Sequence, residues 1–239
     1  MHRFFVEEDY AKTITLEGKL AHHIGVVLRM TVGEELELVF DDGVIARCTL
    51  QSFEKNRVTV AAREILAQGN EPSVQVTLGQ GLAKGEKMDL VVQKAVEVGA
   101  TTIIPLALEN SVARFDNERS QKKVERWQKI ALEAAQQAKR DVIPKVEPVQ
   151  DLQQALTKDY DLIIMAYEGE TQVTLKDILA GQKYGKILLL IGPEGGFAEE
   201  EVELCRSKGA RTVTLGSRIL RTETAGIVAL SCIFYEYEG

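Results

Sequence analysis

Cysteine and histidine are scarce in this sequence, and their spacing offers no obvious metal site. The 239 residues include three cysteines and three histidines, and all of the histidines precede residue 24. Protein zinc sites draw their ligands from closely spaced cysteine and histidine pairs such as CxxC, and no such pair is present. We therefore predict no metal site and no disulfide framework, and we expect each cysteine to be a small buried side chain.

Long apolar runs are also missing. No stretch approaches the roughly 20 apolar residues that a membrane-spanning helix needs. Acidic residues occupy positions 7–9, where a signal peptide would place its apolar segment. We therefore expect no contact with a membrane and a cytoplasmic location. The net charge of −7 argues against a protein that coats nucleic acid without specificity.

Three common catalytic motifs are absent or incomplete. There is no GxxxxGK[ST] phosphate loop, and no histidine in the second half that could serve a Ser-His-Asp hydrolase. Residues 79–84 resemble the GxGxxG dinucleotide motif, but Lys84 replaces the third glycine and no ribose-binding acid follows. A nucleotide-binding oxidoreductase is therefore a weak alternative.

The pattern of the chain changes near residues 69–72. Before this point, short alternating runs with turn residues between them predict a small β-barrel over residues 1–70. From residue 73 to residue 239, apolar runs typical of buried parallel strands alternate with helical segments. This second pattern predicts an α/β domain with a mostly parallel sheet.

Three loops of the α/β part follow predicted strands, at residues 167–170, 192–197 and 216–223. Open α/β sheets bind their ligands at the carboxyl ends of the strands, so these loops are the candidate site. The second loop has three glycines in five residues, which lets its backbone approach a ligand closely. The same residues could equally form a strand-to-helix turn without a ligand.

A basic segment lies in the middle of the chain. Residues 114–140 carry eight bases and four acids in a protein that is acidic as a whole. Such a local excess is typical of a surface that faces phosphate groups. A solvated helix face with internal ion pairs would give the same pattern.

These motifs, taken together and in order, resemble one known family. The matching stretches are Gly-Pro-Glu-Gly-Gly at 192–196, Leu-Arg-Thr-Glu-Thr at 220–224, and residues 3–5, 22–30, 84–89, 93–99 and 127–137. The chain resembles the RsmE family of 16S ribosomal RNA (uracil-N3)-methyltransferases, in the SPOUT superfamily, over its whole length. It departs from the family at Lys139, where a glycine usually precedes the arginine.

The resemblance implies a PUA-like β-barrel that positions RNA and a SPOUT α/β domain with a trefoil knot. It implies S-adenosyl-L-methionine as cofactor, a homodimer, and one uridine near the decoding centre of the small ribosomal subunit as the target. The expected cofactor contacts lie in or beside the three loops: Met165, Tyr167, Glu168, Leu190, Gly192, Glu194, Gly195, Leu215, Gly216, Ile219 and Leu220.

Removal of the proton from uracil N3 leaves an anion that a positioned cation would stabilise. Arg221 is the first candidate for this role, although it could instead form a salt bridge with Glu194 or Glu223. Glu223 or Glu194 could accept the proton. The expected RNA contacts are basic residues of both domains: Arg3, Arg29, Lys84, Arg114, Arg126, Lys129 and Arg140. A noncatalytic RNA-binding or ribosome-assembly protein with a methyltransferase-like core remains the alternative function.

Overall fold

A computed structural model describes residues 1–111 and 117–238. The chain forms two compact units: residues 1–71 with 136–142, and residues 72–135 with 143–239. The sequence placed a boundary near residues 70–73, but it gave no reason to assign residues 136–142 to the first unit. Within the described ranges, no helix is both long and apolar enough to cross a membrane, and no cluster of metal-ligating side chains occurs.

The first unit is built on a five-stranded sheet with the order β1-β3-β4-β5-β2. Strands β1 and β3 pair in parallel, and the other neighbours are antiparallel. Its elements are β1 (His2–Phe5), β2 (Thr13–Glu17), α1 (Gly18–His22) with a following π-helical turn (His23–Val27), β3 (Glu35–Val39), β4 (Ile45–Glu54) and β5 (Arg57–Leu66). Alternating residues of β3, β4 and β5 face one core that includes Leu36, Leu38 and Leu50.

Residues 136–142 are tied to this unit by a buried ion-pair network. The guanidinium of Arg3 lies 3.1 Å from Glu37 and 2.7 Å from Asp141, and it also donates to the carbonyl oxygens of Lys139 and Arg140. Arg140 in turn pairs with Glu71 at 2.6 Å. Because removal of one member of a buried pair leaves an uncompensated charge, each of these contacts strongly constrains the fold.

The second unit is built on a six-stranded parallel sheet with the order β11-β9-β10-β6-β7-β8. The predicted α/β class with a parallel sheet is thereby confirmed. Its strands are β6 (Gln75–Gly81), β7 (Thr102–Leu106), β8 (Lys145–Val146), β9 (Leu162–Ala166), β10 (Lys186–Ile191) and β11 (Arg211–Val213). Its helices are α2 (Lys87–Val98), α3 (Asn117–Gln137), α4 (Leu152–Ala155), α5 (Leu175–Leu179), α6 (Glu199–Ser207) and α7 (Thr222–Glu238).

The register of the central strands brings their carboxyl ends together. Ile191 of β10 pairs with Gln80 of β6 and with Ala166 of β9, and Ala166 pairs with Val213 of β11. Residues 187–191 are all buried, as expected for a strand covered on both faces. The loops that follow β9, β10 and β11 therefore start side by side.

The backbone of Lys139 has a φ of 56°, in the left-handed region. This conformation costs an L-residue with a Cβ about 1–2 kcal/mol, and glycine avoids the cost. The structure thus gives a physical reason for the glycine that the RsmE family usually has at this position.

We predict that Lys139→Gly is more stable than Lys139→Ala by about 1 kcal/mol, because only alanine is strained there. Both variants lose the side chain of Lys139, so the difference between them isolates the backbone effect. Chemical denaturation of the two variants measures it. The matched pair Lys122→Gly and Lys122→Ala, in helix α3, should show the opposite order by about 1 kcal/mol. Equal stabilities at position 139 would contradict the strain.

Candidate functional site

A cleft with a volume of about 410 Å³ opens at the carboxyl edge of the parallel sheet. Three loops form its walls, and each follows one of the neighbouring strands β9, β10 and β11. The lining comprises residues 166–168, 191–194, 196–197, 213–216 and 218–222, together with Lys87 and Ala225. A volume of this size suits a small organic ligand, because ligand pockets usually span about 300–1,000 Å³.

The loop after β10 passes so close to its neighbours that glycine is required at two positions. A Cβ on Gly81 of β6 would lie 2.6 Å from the backbone nitrogen of Pro193. Gly196 has a φ of 70°, and a Cβ there would lie 2.5 Å from a carboxylate oxygen of Glu168. The amide of Gly196 donates to the carbonyl of Pro193 at 3.0 Å and closes the turn. The loop is therefore fixed by backbone fit rather than by long side chains.

A cluster of three charges lies beside this loop. The Lys87 ammonium is 2.8 Å from a carboxylate oxygen of Glu194 and 3.6 Å from one of Glu223. The backbone amide of Lys84 donates to the same oxygen of Glu194 at 3.1 Å. Helix α2 supplies the lysine, the β10 loop supplies Glu194, and the first turn of α7 supplies Glu223. The cluster thus connects three separate elements around the cleft.

The cluster shifts the pKa values of its members in opposite directions. The hydrogen bond to Glu194 raises the pKa of Lys87 above its usual 10.5. Burial alone would raise the pKa of Glu194, but the hydrogen bonds from Lys87 and from the backbone outweigh it and lower this pKa below 4.5. Glu194 therefore stays charged down to a pH below 4.5, and Lys87 stays charged up to a pH above 10.5.

The two buried cysteines are poorly suited to act as thiolate nucleophiles. Burial raises the pKa of Cys48 to about 11 and that of Cys205 to about 12, so both remain thiols at neutral pH. Cys232 is exposed, contrary to the expectation that all three cysteines are buried. None of the three lines the cleft described above.

Two protein-family models match the sequence. "RNA methyltransferase domain" matches residues 70–234, and "RNA methyltransferase PUA domain" matches residues 16–62. A ribosomal RNA small subunit methyltransferase E from Bacillus subtilis is 38% identical over 250 aligned residues, covering 100% of this chain and 98% of the relative. The chain belongs to the ribosomal RNA small subunit methyltransferase E family.

Solved structures agree with this membership. The crystal structure of a methyltransferase E from Neisseria gonorrhoeae bound to S-adenosyl methionine has 34% sequence identity and a TM-score of 0.87, covering 98% of this chain and 96% of that one. A Legionella pneumophila methyltransferase with bound cofactor SAM has 32% identity and a TM-score of 0.88, with coverage of 97% and 96%. The predicted SPOUT-type α/β methyltransferase fold with a PUA-like first domain is confirmed by these family matches. The trefoil knot stays a prediction.

Most of the residues predicted to contact the cofactor line the cleft. They are Tyr167, Glu168, Gly192, Glu194, Leu215, Gly216, Ile219 and Leu220. Met165 and Leu190 do not line it, because both are completely buried in a core with Leu188 and Phe197. Gly195 also lies outside the lining, and its carbonyl accepts a hydrogen bond from Asn110 at 3.2 Å.

The position of Met165 and Leu190 outside the cleft lining has a simple cause. Successive residues of a strand face opposite sides of the sheet, so the apolar contact of each strand lies one residue later. Ala166 and Ile191, the last residues of β9 and β10, line the cleft instead. Strand alternation could have shown this only if the exact end of each strand had been known.

Arg221 and Glu223 occupy different environments. Arg221 lines the cleft and its side chain is exposed. The anticipated salt bridge with Glu194 or Glu223 is not formed in the described part of the chain, where Lys87 pairs with both acids. Glu223 lies outside the cleft lining, and its Oε2 is buried with no hydrogen-bond partner among residues 1–111 and 117–238. Lys87 was missed because a lone lysine at the start of a helix carries no distinctive signal.

The predicted RNA contacts fall into two groups. Arg29, Lys84, Arg126 and Lys129 are exposed, and Arg126 pairs with Asp89. Arg3 and Arg140 are only 6% and 3% exposed and serve the ion-pair network of the first unit. We therefore remove these two from the expected RNA contacts, since their charges are already balanced inside the fold. Arg114 lies outside the described residues.

We predict that Lys87→Met raises the pKa of Glu194 relative to the wild type, because the substitution removes the largest of the hydrogen bonds that oppose the effect of burial. A pH titration of the glutamate carboxyl carbons by NMR measures the shift, and Glu194→Gln assigns the signal. The variant Lys94→Met, which breaks the pair with Glu97 on the same helix, serves as the control. A Glu194 pKa equal to that of the wild type would contradict the assigned role of Lys87.

Proposed function

We propose that this chain transfers the methyl group of S-adenosyl-L-methionine to N3 of one uridine in 16S ribosomal RNA, near the decoding centre of the small subunit. The observation that carries the proposal is the three-loop cleft in a chain that aligns over its full length with ribosomal RNA small subunit methyltransferases. The reaction then takes place in the cytoplasm, where small ribosomal subunits are found.

The residues of the cleft fit this cofactor. Ile191, Val213, Leu215 and Leu220 offer apolar contacts for an adenine ring. Gly192 and Gly196 let the backbone approach polar atoms at the edge of the ring. Glu168 and Glu194 supply carboxylates at the same wall, and carboxylates favour a cationic ligand.

When bound, the cofactor supplies an activated methyl carbon, so the main task of the protein is to place uracil N3 in line with it. Arg221, exposed in the cleft wall, stabilises the negative charge that spreads over the uracil oxygens as the N3 proton leaves. Lys87 pairs with Glu194 and Glu223 and offsets part of their negative charge beside the forming anion.

Glu223 is the proposed proton acceptor, because its buried Oε2 has an unused lone pair. Arg221 belongs to the cleft lining, whereas Glu223 lies outside it. We therefore rank electrostatic assistance by Arg221 above proton removal by Glu223.

We also propose that the chain acts as a homodimer. Ile219 and Tyr235 of the second unit are 86% and 80% exposed, which is unusual for large apolar or aromatic side chains. A partner subunit that covers these side chains would account for their exposure. Ile219 belongs to the cleft lining, so the partner would then lie beside the site.

The central test is methyl transfer from labelled S-adenosyl-L-methionine, followed by identification of the modified nucleoside by mass spectrometry. We expect 3-methyluridine in small-subunit RNA, and Arg221→Ala should lower kcat about 100-fold with little change in cofactor affinity. Arg211→Ala, at the exposed start of β11 and outside the cleft lining, is the matched control and should leave kcat unchanged. Parallel assays on naked RNA and on assembled small subunits identify the preferred substrate.

Two outcomes would contradict the proposal. RNA binding without any methyl transfer would favour the noncatalytic assembly protein, and an unchanged rate in Arg221→Ala would remove this residue from the mechanism.

The proposed RNA surface is tested separately. Removal of one phosphate contact by Lys129→Gln or Arg29→Gln should weaken RNA binding and lower the slope of log K against log salt by about 1. Lys208→Gln, an exposed lysine just after α6, should leave the slope unchanged. Binding measured by fluorescence anisotropy at several salt concentrations gives the slopes. Identical slopes for all variants would place Lys129 and Arg29 outside the interface.

A further inference from the structure

A buried, uncharged chain of hydrogen bonds runs from β6 to the cleft. The side-chain amide nitrogen of Gln80 lies 2.8 Å from the hydroxyl of Thr222, and that hydroxyl lies 2.6 Å from the carbonyl oxygen of Gly192. Gln80 is completely buried and Thr222 is 6% exposed. The sequence placed Gly192 among the expected cofactor contacts, whereas Gln80 and Thr222 occurred there only as members of longer motifs.

The direction of the chain follows from the chemistry of its groups. The carbonyl of Gly192 can only accept, so the single proton of the Thr222 hydroxyl must point to it. The hydroxyl then has only lone pairs left for Gln80, and the Gln80 amide must present its NH₂ group. That NH₂ group also donates to the carbonyl of Gly81 at 3.1 Å. Both of its hydrogens are therefore used.

The other end of the Gln80 amide is not satisfied. Its Oε1 is buried and has no hydrogen-bond partner among the described residues. A Cβ on Gly226 of α7 would lie 3.4 Å from this oxygen. A buried acceptor without a partner costs about 1–3 kcal/mol in free energy of unfolding, so an amide kept here needs a compensating role. Its NH₂ group provides that role.

The hydrogen bonds fix two of the three cleft loops relative to each other. Gly192 begins the loop after β10, and Thr222 is the first residue of α7, directly after the loop that follows β11. Thr222 lies between Arg221 and Glu223, the two residues proposed to act on the uracil. A shift of the Thr222 backbone would therefore move both of them. The close contact of Gly81 with Pro193 holds the other side of the same loop.

We propose that Gln80 and Thr222 are positioning residues that hold the β10 loop and the start of α7 in the geometry that binds the cofactor. This inference rests on the proposed function, since it assigns the geometry to S-adenosyl-L-methionine. The hydrogen-bonded groups of Gln80, Thr222 and Gly192 are all neutral, so these hydrogen bonds add no charge to the cleft. The partly exposed cluster of Lys87, Glu194 and Glu223 spans the same loops through charges, which salt screens more than it affects neutral hydrogen bonds.

The test compares variants that differ by one polar atom. Thr222→Val replaces the hydroxyl by a methyl group of similar size, and Thr222→Ser keeps the hydroxyl. We expect Thr222→Val to raise both the Kd and the KM for S-adenosyl-L-methionine roughly tenfold, as for the loss of one hydrogen bond, and to change the KM for RNA less. Thr222→Ser should recover most of the cofactor affinity. Gln80→Met should act in the same direction as Thr222→Val.

Two controls separate positioning from simple loss of stability. Ile178→Val removes a buried methyl group in α5, away from the cleft, and should lower Tm without changing the KM for the cofactor. The double variant Thr222→Val with Gln80→Met should be little worse than Thr222→Val alone, because both substitutions break one chain of bonds. If Thr222→Val does not fold, Gln80→Met and Thr222→Ser still give the comparison.

A measurement without cofactor keeps this inference distinct from the proposed function. Amide hydrogen exchange at Gly196, which donates within the β10 loop, should accelerate in Thr222→Val and not in Thr222→Ser. Equal exchange and equal cofactor binding in the two variants would overturn the positioning role. If the wild type failed to bind S-adenosyl-L-methionine while the exchange difference persisted, the proposed function would fail and the loop-positioning role would stand.

Discussion

The site depends on the parallel register of β10 between β6 and β9. This register places Ile191, Gln80 and Ala166 side by side, so that the backbone leaves the sheet at three adjacent points. A displacement of β10 by one residue would invert which side chains face the core and would separate the loops. The buried apolar side chains of β10 hold the register, each contributing roughly 1.5–3 kcal/mol of burial free energy. The chemistry of the cleft is therefore secured by packing within the sheet.

On this base, the cleft is held by interactions of two kinds. Close backbone contacts and neutral hydrogen bonds fix the loop after β10, as at Gly81, Gly196 and Thr222. An ionic cluster around Lys87 lies nearer to solvent, with side chains that are partly exposed. Neutral buried contacts are insensitive to salt and pH, whereas partly exposed charges respond to both. The buried contacts around the cleft are thus neutral, and the charged cluster of Lys87, Glu194 and Glu223 is the part that responds to salt and pH.

Much of this could be predicted from the sequence, and the errors have physical causes. Motif order gave the family, and strand-end loops gave most of the cleft, because glycine patterns and apolar runs are local signals. Met165 and Leu190 were misplaced since facing depends on the exact end of a strand. Arg3 and Arg140 look like phosphate ligands in sequence, yet acids distant along the chain neutralise both of them. Lys87 and Gln80 gain their roles only from neighbours more than 100 residues away, which no local pattern reveals.

Residues 136–142 belong to the first unit, although residues 72–135 of the second unit precede them in the sequence. A ribosome synthesising this protein releases the five strands of the first unit well before it releases Asp141. Until then Arg3 and Glu37 lack that carboxylate, and the newly made sheet lacks its last segment. Completion of the amino-terminal unit is therefore postponed until more than half of the polypeptide has emerged. Because residues 72–135 separate the two parts of the first unit, this unit is completed only after much of the second unit has been synthesised.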